Sequence, residues 1–395
     1  MHFTFVRRRA VVVACNPPVG YLRRPRIAGC MPVRLCAKAE PDVADPLHLL
    51  RPEARMYERL PDRKYDVAGL GNALVDALVL MDEGDFLAER GITRGQMTPV
   101  DDQKWGAIHG ELKHHGVEIQ SGGSCGNTIA GLGFLGAQAI YAGQVGDDKL
   151  GHLFADRMIE ACGQHALSWS RKVATGKCLS IVSTIDAERT MLTDLGAAVT
   201  MDGLGSFDEV IRNSRLVHIT GYLLLGEPMA SRAEEAMAVG VQEQIPVSLD
   251  VADPFVVNMV KERMWGLIEE FVDIVFMNEE EAKALTGTDD LDAAIEAVAD
   301  VVDTVVMKLG SRGSVVIHRG ERIEAGVFPV EAVDTTGAGD AYAAGFLYGY
   351  VHGWGARRSA DLGARIASMT VGQLGAVVRD AGRMQAAIEA SATSA

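Results

Sequence analysis

The chain has 395 residues, 48% hydrophobic and 23% charged, with a formal net charge of −15. This is the composition of a globular protein with ample core, and no apolar stretch is long enough to cross a bilayer. Residues 1–39 hold eight basic and no acidic residues, which leaves 30 basic and 53 acidic beyond them; so acidic a body argues against nucleic-acid binding, and six cysteines without C-x-x-C spacing exclude a disulfide framework and a zinc pattern.

The basic, acid-free leader reads as an organelle targeting segment. Val33-Arg34-Leu35-Cys36-Ala37 is similar to a plastid processing site with cleavage near Cys36, although residues 1–39 contain no serine. A plastid is the expected destination, with mitochondrion and cytoplasm as alternatives. Residues 40–62 are rich in proline and charge and read as a linker. The domain plan is thus a leader and linker over 1–62 and one α/β domain over 63–390.

The body opens with a strand at 65–70 that ends in a Gly-Asn turn, and 73–81 is a second apolar run. Segments 91–121 and 175–195 carry strand-type alternation, as in Cys178-Leu179-Ser180-Ile181-Val182-Ser183. With 73–81 they read as strands of a small lid. His114 and His115 read as a solvated loop or strand end. Gly122-Gly123-Ser124-Cys125-Gly126-Asn127 is a glycine turn that starts an apolar helix over 128–135, and Cys125 reads as a small packed residue. Then strands at 138–145, 215–219, 246–250, 272–276 and 303–308 alternate with helices that include 149–162 and 229–242. A hairpin follows at 314–317 and 321–325. Such alternation predicts a doubly wound, mostly parallel sheet flanked by helices, with ligands at the carboxyl ends of its strands.

The most informative stretch comes late. A short apolar run at 327–333, read as a strand, feeds Asp334-Thr335-Thr336-Gly337-Ala338-Gly339-Asp340 and a helical pattern over 341–350. A glycine turn at a helix N-terminus presents free N–H groups and a favourable dipole to an anion. Gly337 and Gly339 let a phosphate approach the backbone. Asp340 puts a carboxylate at the same spot, poorly placed to bind an anion but well placed to take a proton from an attacking hydroxyl. The stretch therefore points to a kinase acting on an alcohol.

The string resembles the signature of the ribokinase or PfkB-type carbohydrate kinases, and the likeness extends in order over 65–380. Matching motifs are Gly71-Asn72-Ala73-Leu74-Val75-Asp76, the 122–127 loop, Glu188-Arg189-Thr190-Met191, Asn278-Glu279-Glu280-Glu281 and Lys308-Leu309-Gly310-Ser311-Arg312-Gly313. The resemblance implies a ribokinase-like fold with a β-sheet lid and transfer of the ATP γ-phosphate to a sugar or nucleoside hydroxyl. It implies Asp340 as base, with Gly337, Ala338 and Gly339 neutralising charge and Arg189 reaching the phosphate. Asn72, Asp76, Gly122, Gly123 and Asn127 would hold the acceptor. Lys308, Gly310, Gly313 and Thr336 would hold the nucleotide, and Asn278 and Glu281 would hold Mg²⁺ partly through water. Gly375-Ala376 beside Asp334 resembles a loop that helps hold a monovalent cation, K⁺, in some members.

The spellings Gly71–Asp76, Gly122–Asn127, Glu188–Leu192 and Ile219–Leu224 are most similar to the adenosine-kinase-like branch. Adenosine is the expected acceptor, with ribose or a ketohexose as the alternative. Tyr222 and Leu223 are placed to clamp a base, and Trp105 to reach it from the lid. A non-catalytic structural partner in an organelle assembly is the reading from a different class. The resemblance leaves a monomer and a homodimer paired through the lid both open.

Overall fold

The structure, a computed structural model, describes residues 62–186 and 188–393. The leader and its processing site lie outside the described residues. The parallel strands are short and almost wholly buried, as at Val67–Leu70, Val217–Thr220, Val247–Asp250 and Ile274–Asn278. Strands of this kind need cover on both faces. They form an eight-stranded sheet in the order Glu321–Ala325, Ser314–His318, Thr304–Lys308, Ile274–Asn278, Val247–Asp250, Val217–Thr220, Val67–Leu70 and Ala139–Ala142. Pairing is parallel from Thr304–Lys308 to Ala139–Ala142 and antiparallel through the two strands at the other edge.

Period-two alternation divides the side chains between two cores. Ala68, Leu70, Val217, Ile219, Leu249 and Val275 enter one; Val67, Ala139, Tyr141, Ile274, Phe276 and Val306 enter the other. Helices Met229–Gln242 and Pro254–Phe271 cover the first face, and Ser124–Phe134 and Ala338–Val351 the second.

A second sheet of five strands has the order Met97–Pro99, Arg189–Asp194, Gly176–Ser183, Leu74–Met81 and Glu118–Gly122. Its alternation does two jobs. Ala77, Val79, Met81, Leu179, Ile181 and Leu192 face a small core that contains Trp105, Ile108 and Leu112. Leu74, Asp76, Cys178, Met191 and Thr193, one residue out of step, face a cavity.

Three expectations need correction. The 91–121 segment is not all strand: Asp102–Leu112 is a helix, capped by Asp101, which accepts from the Lys104 N–H at 2.7 Å. Residues 327–333 form no strand: Val327, Val330 and Val333 are exposed, and Phe328 is the residue of the run that packs on the core. Residues 138–145 split into Ala139–Ala142 in the large sheet and Gln144–Gly146, which pairs instead with Ser168–Ser170.

Candidate active site

Thr220, Asp250, Asn278 and Lys308 end four adjacent strands of the large sheet, and all four line one cavity of about 1000 Å³. The cavity lies at the carboxyl edge, where an open α/β sheet leaves room for a ligand.

Helix Ala338–Val351 points its N-terminus into this cavity, and no side chain caps it. The Ala338 N–H makes only a long bond to the Thr335 carbonyl, at 3.3 Å, so the first turn still presents N–H donors for an anion at the cavity. Gly337 sits at φ +71°, and a Cβ there would come within 2.4 Å of the Ala376 Cβ. Only glycine fits both the left-handed turn and that contact. Asp334 is fully buried and ties the turn down, accepting from the Thr336 N–H at 2.8 Å and the Gly375 N–H at 3.0 Å. The 375–376 loop thus does meet Asp334, and it buttresses the cradle.

Asp340 lines the cavity from the first turn of this helix. Its carboxylate accepts from the Ser124 hydroxyl at 2.7 Å and the Asn127 amide at 2.9 Å. Burial pushes its pKa up to about 6, against the pull of those two hydrogen bonds. A carboxylate oriented by two donors and titrating near neutrality has the properties of a general base.

Asp76 faces the cavity from the second sheet, with Cys178 opposite it on the neighbouring strand. Burial raises its pKa to about 7, Arg189 lowers it, and Asp340 and Asp334 add to the rise. Asn72 lines the same region, and its side-chain oxygen is buried without a partner among the described residues. Gly123, at φ +81°, has no room for a Cβ beside the Asn72 carbonyl. Gly122 does not line the cavity; a Cβ on it would strike the Asp76 carboxylate at 2.2 Å. Its role is to leave Asp76 its position.

On the other side, Asn278 and Glu281 form a reciprocal cap: the Asn278 oxygen accepts from the Glu281 N–H at 2.9 Å, and Glu281 accepts from the Asn278 N–H at 2.7 Å. Glu281 is 2% exposed, and burial lifts its pKa to about 7, against the Lys308 charge. Both residues line the cavity, so the cap and a facing role coexist. Lys308, Gly310, Gly313 and Thr336 line it too.

Sequence reasoning missed Asp250, whose Oδ2 lies 2.8 Å from the Lys308 ammonium. The available signal was a charged residue closing a short, otherwise uncharged strand, Val247-Ser248-Leu249-Asp250. It also missed the apolar wall of Met97, Pro99, Met191, Leu195, Val199 and Leu225. Tyr222 and Leu223 do line the cavity. Trp105 does not: it is 7% exposed, inside the core between helix Asp102–Leu112 and the second sheet. Cys125 is a packed residue, its thiol 3.8 Å from the His218 carbonyl and pushed up by burial.

A model of the pfkB family carbohydrate kinases matches residues 101–380. The adenosine kinase of Saccharomyces cerevisiae is 27% identical over 332 residues, 78% of this chain and 94% of that one. The crystal structure of adenosine kinase from Sinorhizobium meliloti superposes with a TM-score of 0.75 at 36% identity, covering 83% of this chain and 99% of the other. A probable sugar kinase from Rhizobium etli superposes with a TM-score of 0.75 at 31% identity, covering 84% and 100%.

Proposed function

We propose that this chain, which belongs to the pfkB family of carbohydrate kinases, moves the ATP γ-phosphoryl group to a hydroxyl of a nucleoside, adenosine first. The observation that carries the choice of acceptor is the pairing of Asn72 and Asp76 with the apolar wall of Met97, Pro99, Met191, Leu195 and Val199. Vicinal hydroxyls suit the first pair, since a carboxylate accepts from two of them at once. A flat base suits the second. The likeness to a probable sugar kinase supports a free sugar as the second reading.

In the proposed reaction Asp340 accepts the proton of the acceptor hydroxyl. The first-turn N–H groups of residues 337–340 take up charge on the moving phosphoryl, and Arg189 assists from the second sheet. Lys308, Gly310, Gly313 and Thr336 face the nucleotide. Asn278 and Glu281 suit Mg²⁺ through water, because direct ligation would compete with their reciprocal cap. The ion would supply charge neutralisation on the nucleotide phosphates. The basic stretch 1–39 supports delivery to a plastid as part of the same proposal, which a fluorescent fusion of residues 1–62 would test.

The test is ADP release from ATP and Mg²⁺ with adenosine, inosine, guanosine, ribose and fructose. Adenosine should give the highest kcat/KM. Turnover of ribose or fructose with none of the nucleosides would overturn the nucleoside reading. Silence with all five, alongside stable co-purification with other proteins, would favour the non-catalytic partner.

A further inference from the structure

Asp250 has no part in that scheme, yet it is fixed from two sides. It is 3% exposed; Oδ1 accepts from the Ala252 N–H at 3.0 Å, and Oδ2 from Lys308 Nζ at 2.8 Å. Lys308 reaches it across the intervening strand: Lys308 pairs with Asn278, and Asp250 with Phe276 of that same strand. The ammonium also lies against the first turn of helix Ala338–Val351. A Cβ on Gly339 would stand 3.1 Å from Nζ, so glycine there leaves the space the ammonium borders.

Three carboxylates, Asp250, Glu281 and Asp340, face this one cation, and His218 lies beyond them on the next strand. A lysine carries a compact charge on a flexible four-carbon stem. Left to itself it has two other carboxylates to pair with, and one of them is the proposed base. An ion pair with Asp340 would weaken that base, because a nearby cation lowers a carboxylate's proton affinity.

We infer that Asp250 is a positioning residue: it holds the Lys308 ammonium against the helix N-terminus, where it shares the charge of the transferred phosphoryl with the backbone N–H groups, and away from Asp340. The inference rests on the kinase reading above and goes beyond it, since that reading gives Asp250 no role.

Kinetics of four forms test it: wild type, Asp250→Asn, Lys308→Met and the double variant. Asp250→Asn should lower kcat roughly 10- to 100-fold, with the acceptor KM within about threefold of wild type, and Lys308→Met at least as much. If Asp250 acts through Lys308, the double variant should match Lys308→Met. It also removes both members of the buried pair, so it should fold even if Asp250→Asn alone does not. A kcat for Asp250→Asn within threefold of wild type would overturn the inference, as would an equal further loss in the Lys308→Met background. If the wild type turns over no acceptor, the reaction proposed above is what fails. Calorimetry with a non-hydrolysable ATP analogue then decides this point separately. Lys308→Met should weaken the analogue about tenfold, and Asp250→Asn should change affinity only where Lys308 is present. The same change with and without Lys308, or none on removing Lys308, would sink the inference.

Discussion

The two ends of the cavity are built on different plans. The end at helix Ala338–Val351 is mostly backbone: one contiguous turn, Asp334 to Asp340, supplies the N–H cradle and the carboxylate, and Gly375 and Ala376 brace it. The end under the second sheet is mostly side chains drawn from separate strands, with Asp76, Arg189, Met97 and Thr193 arriving from three of them in alternation. Backbone is set by local sequence and tolerates no substitution that changes φ. Side chains on a sheet face can be exchanged without moving the strand. The chemistry should therefore be fixed at the first end and the acceptor chosen at the second, and variants at each end should separate kcat from KM.

Asp340→Asn is the largest expected effect: kcat should fall roughly 10²- to 10⁴-fold with the acceptor KM nearly unchanged. The same variant should be the more stable protein at alkaline pH. Burial raises the Asp340 pKa from 3.8 to about 6, so the fold favours its neutral form. The stability this contributes is complete below pH 3.8 and is lost as pH rises through about 6. Asparagine keeps the neutral state throughout. Thermal melts should put the variant above wild type at pH 8, with the gap closing by pH 4. A gap of constant size would remove the titration from the account.

Arg189→Ala comes next, at about 10²-fold in kcat. Arg189 belongs to the second sheet and lines the cavity, but the proposed reaction gives it a part in phosphoryl transfer, so it tests where the boundary between the two ends runs. Its charge also holds the Asp76 pKa down. In the variant the acidic limb of kcat/KM should move to higher pH, and a limb that stays in place would show that Asp76 need not be ionised.

The same contrast explains what could be read from the sequence. The cradle was legible because seven consecutive residues specify it, and the parallel sheet because short, mostly apolar strands alternate with helices. Asp250 was not, since its partner Lys308 lies 58 positions away and they meet only once three strands are in register. The apolar wall was not, since each of its residues alone looks like ordinary core. Trp105 was misplaced for the opposite reason. Asp101, Trp105, Ile108 and Leu112 carry a cap and a helical period, but they sit inside a segment whose flanks, Met97–Pro99 and Glu118–Gly122, really are strands.

Two substitutions under the second sheet sharpen the comparison further. Gly122→Ala would drive a Cβ into the Asp76 carboxylate, 2.2 Å away before any relaxation. The acceptor KM should rise roughly tenfold while kcat for bound substrate changes little. Equal losses in kcat and kcat/KM would mean that Asp76 acts on the reacting group rather than on binding, and the division of labour would fall.

Trp105→Phe should do least. Its ring packs in the core between helix Asp102–Leu112 and the sheet, stacked on His109 at 4.6 Å and beneath the Lys177 ammonium at 5.2 Å. Removing part of the indole leaves a small void, which is destabilising. It also removes a buried indole N–H that has no hydrogen-bond partner among the described residues, and that relief offsets part of the loss. The balance should be about 1 kcal/mol in denaturant titrations, with the acceptor KM within about twofold of wild type. Trp105 packs from its helix against one face of the second sheet, and Asp76 faces the cavity from the other. A KM that follows this core substitution would mean that the acceptor end is set by how the sheet packs on its helix, and not by the side chains it turns toward the cavity.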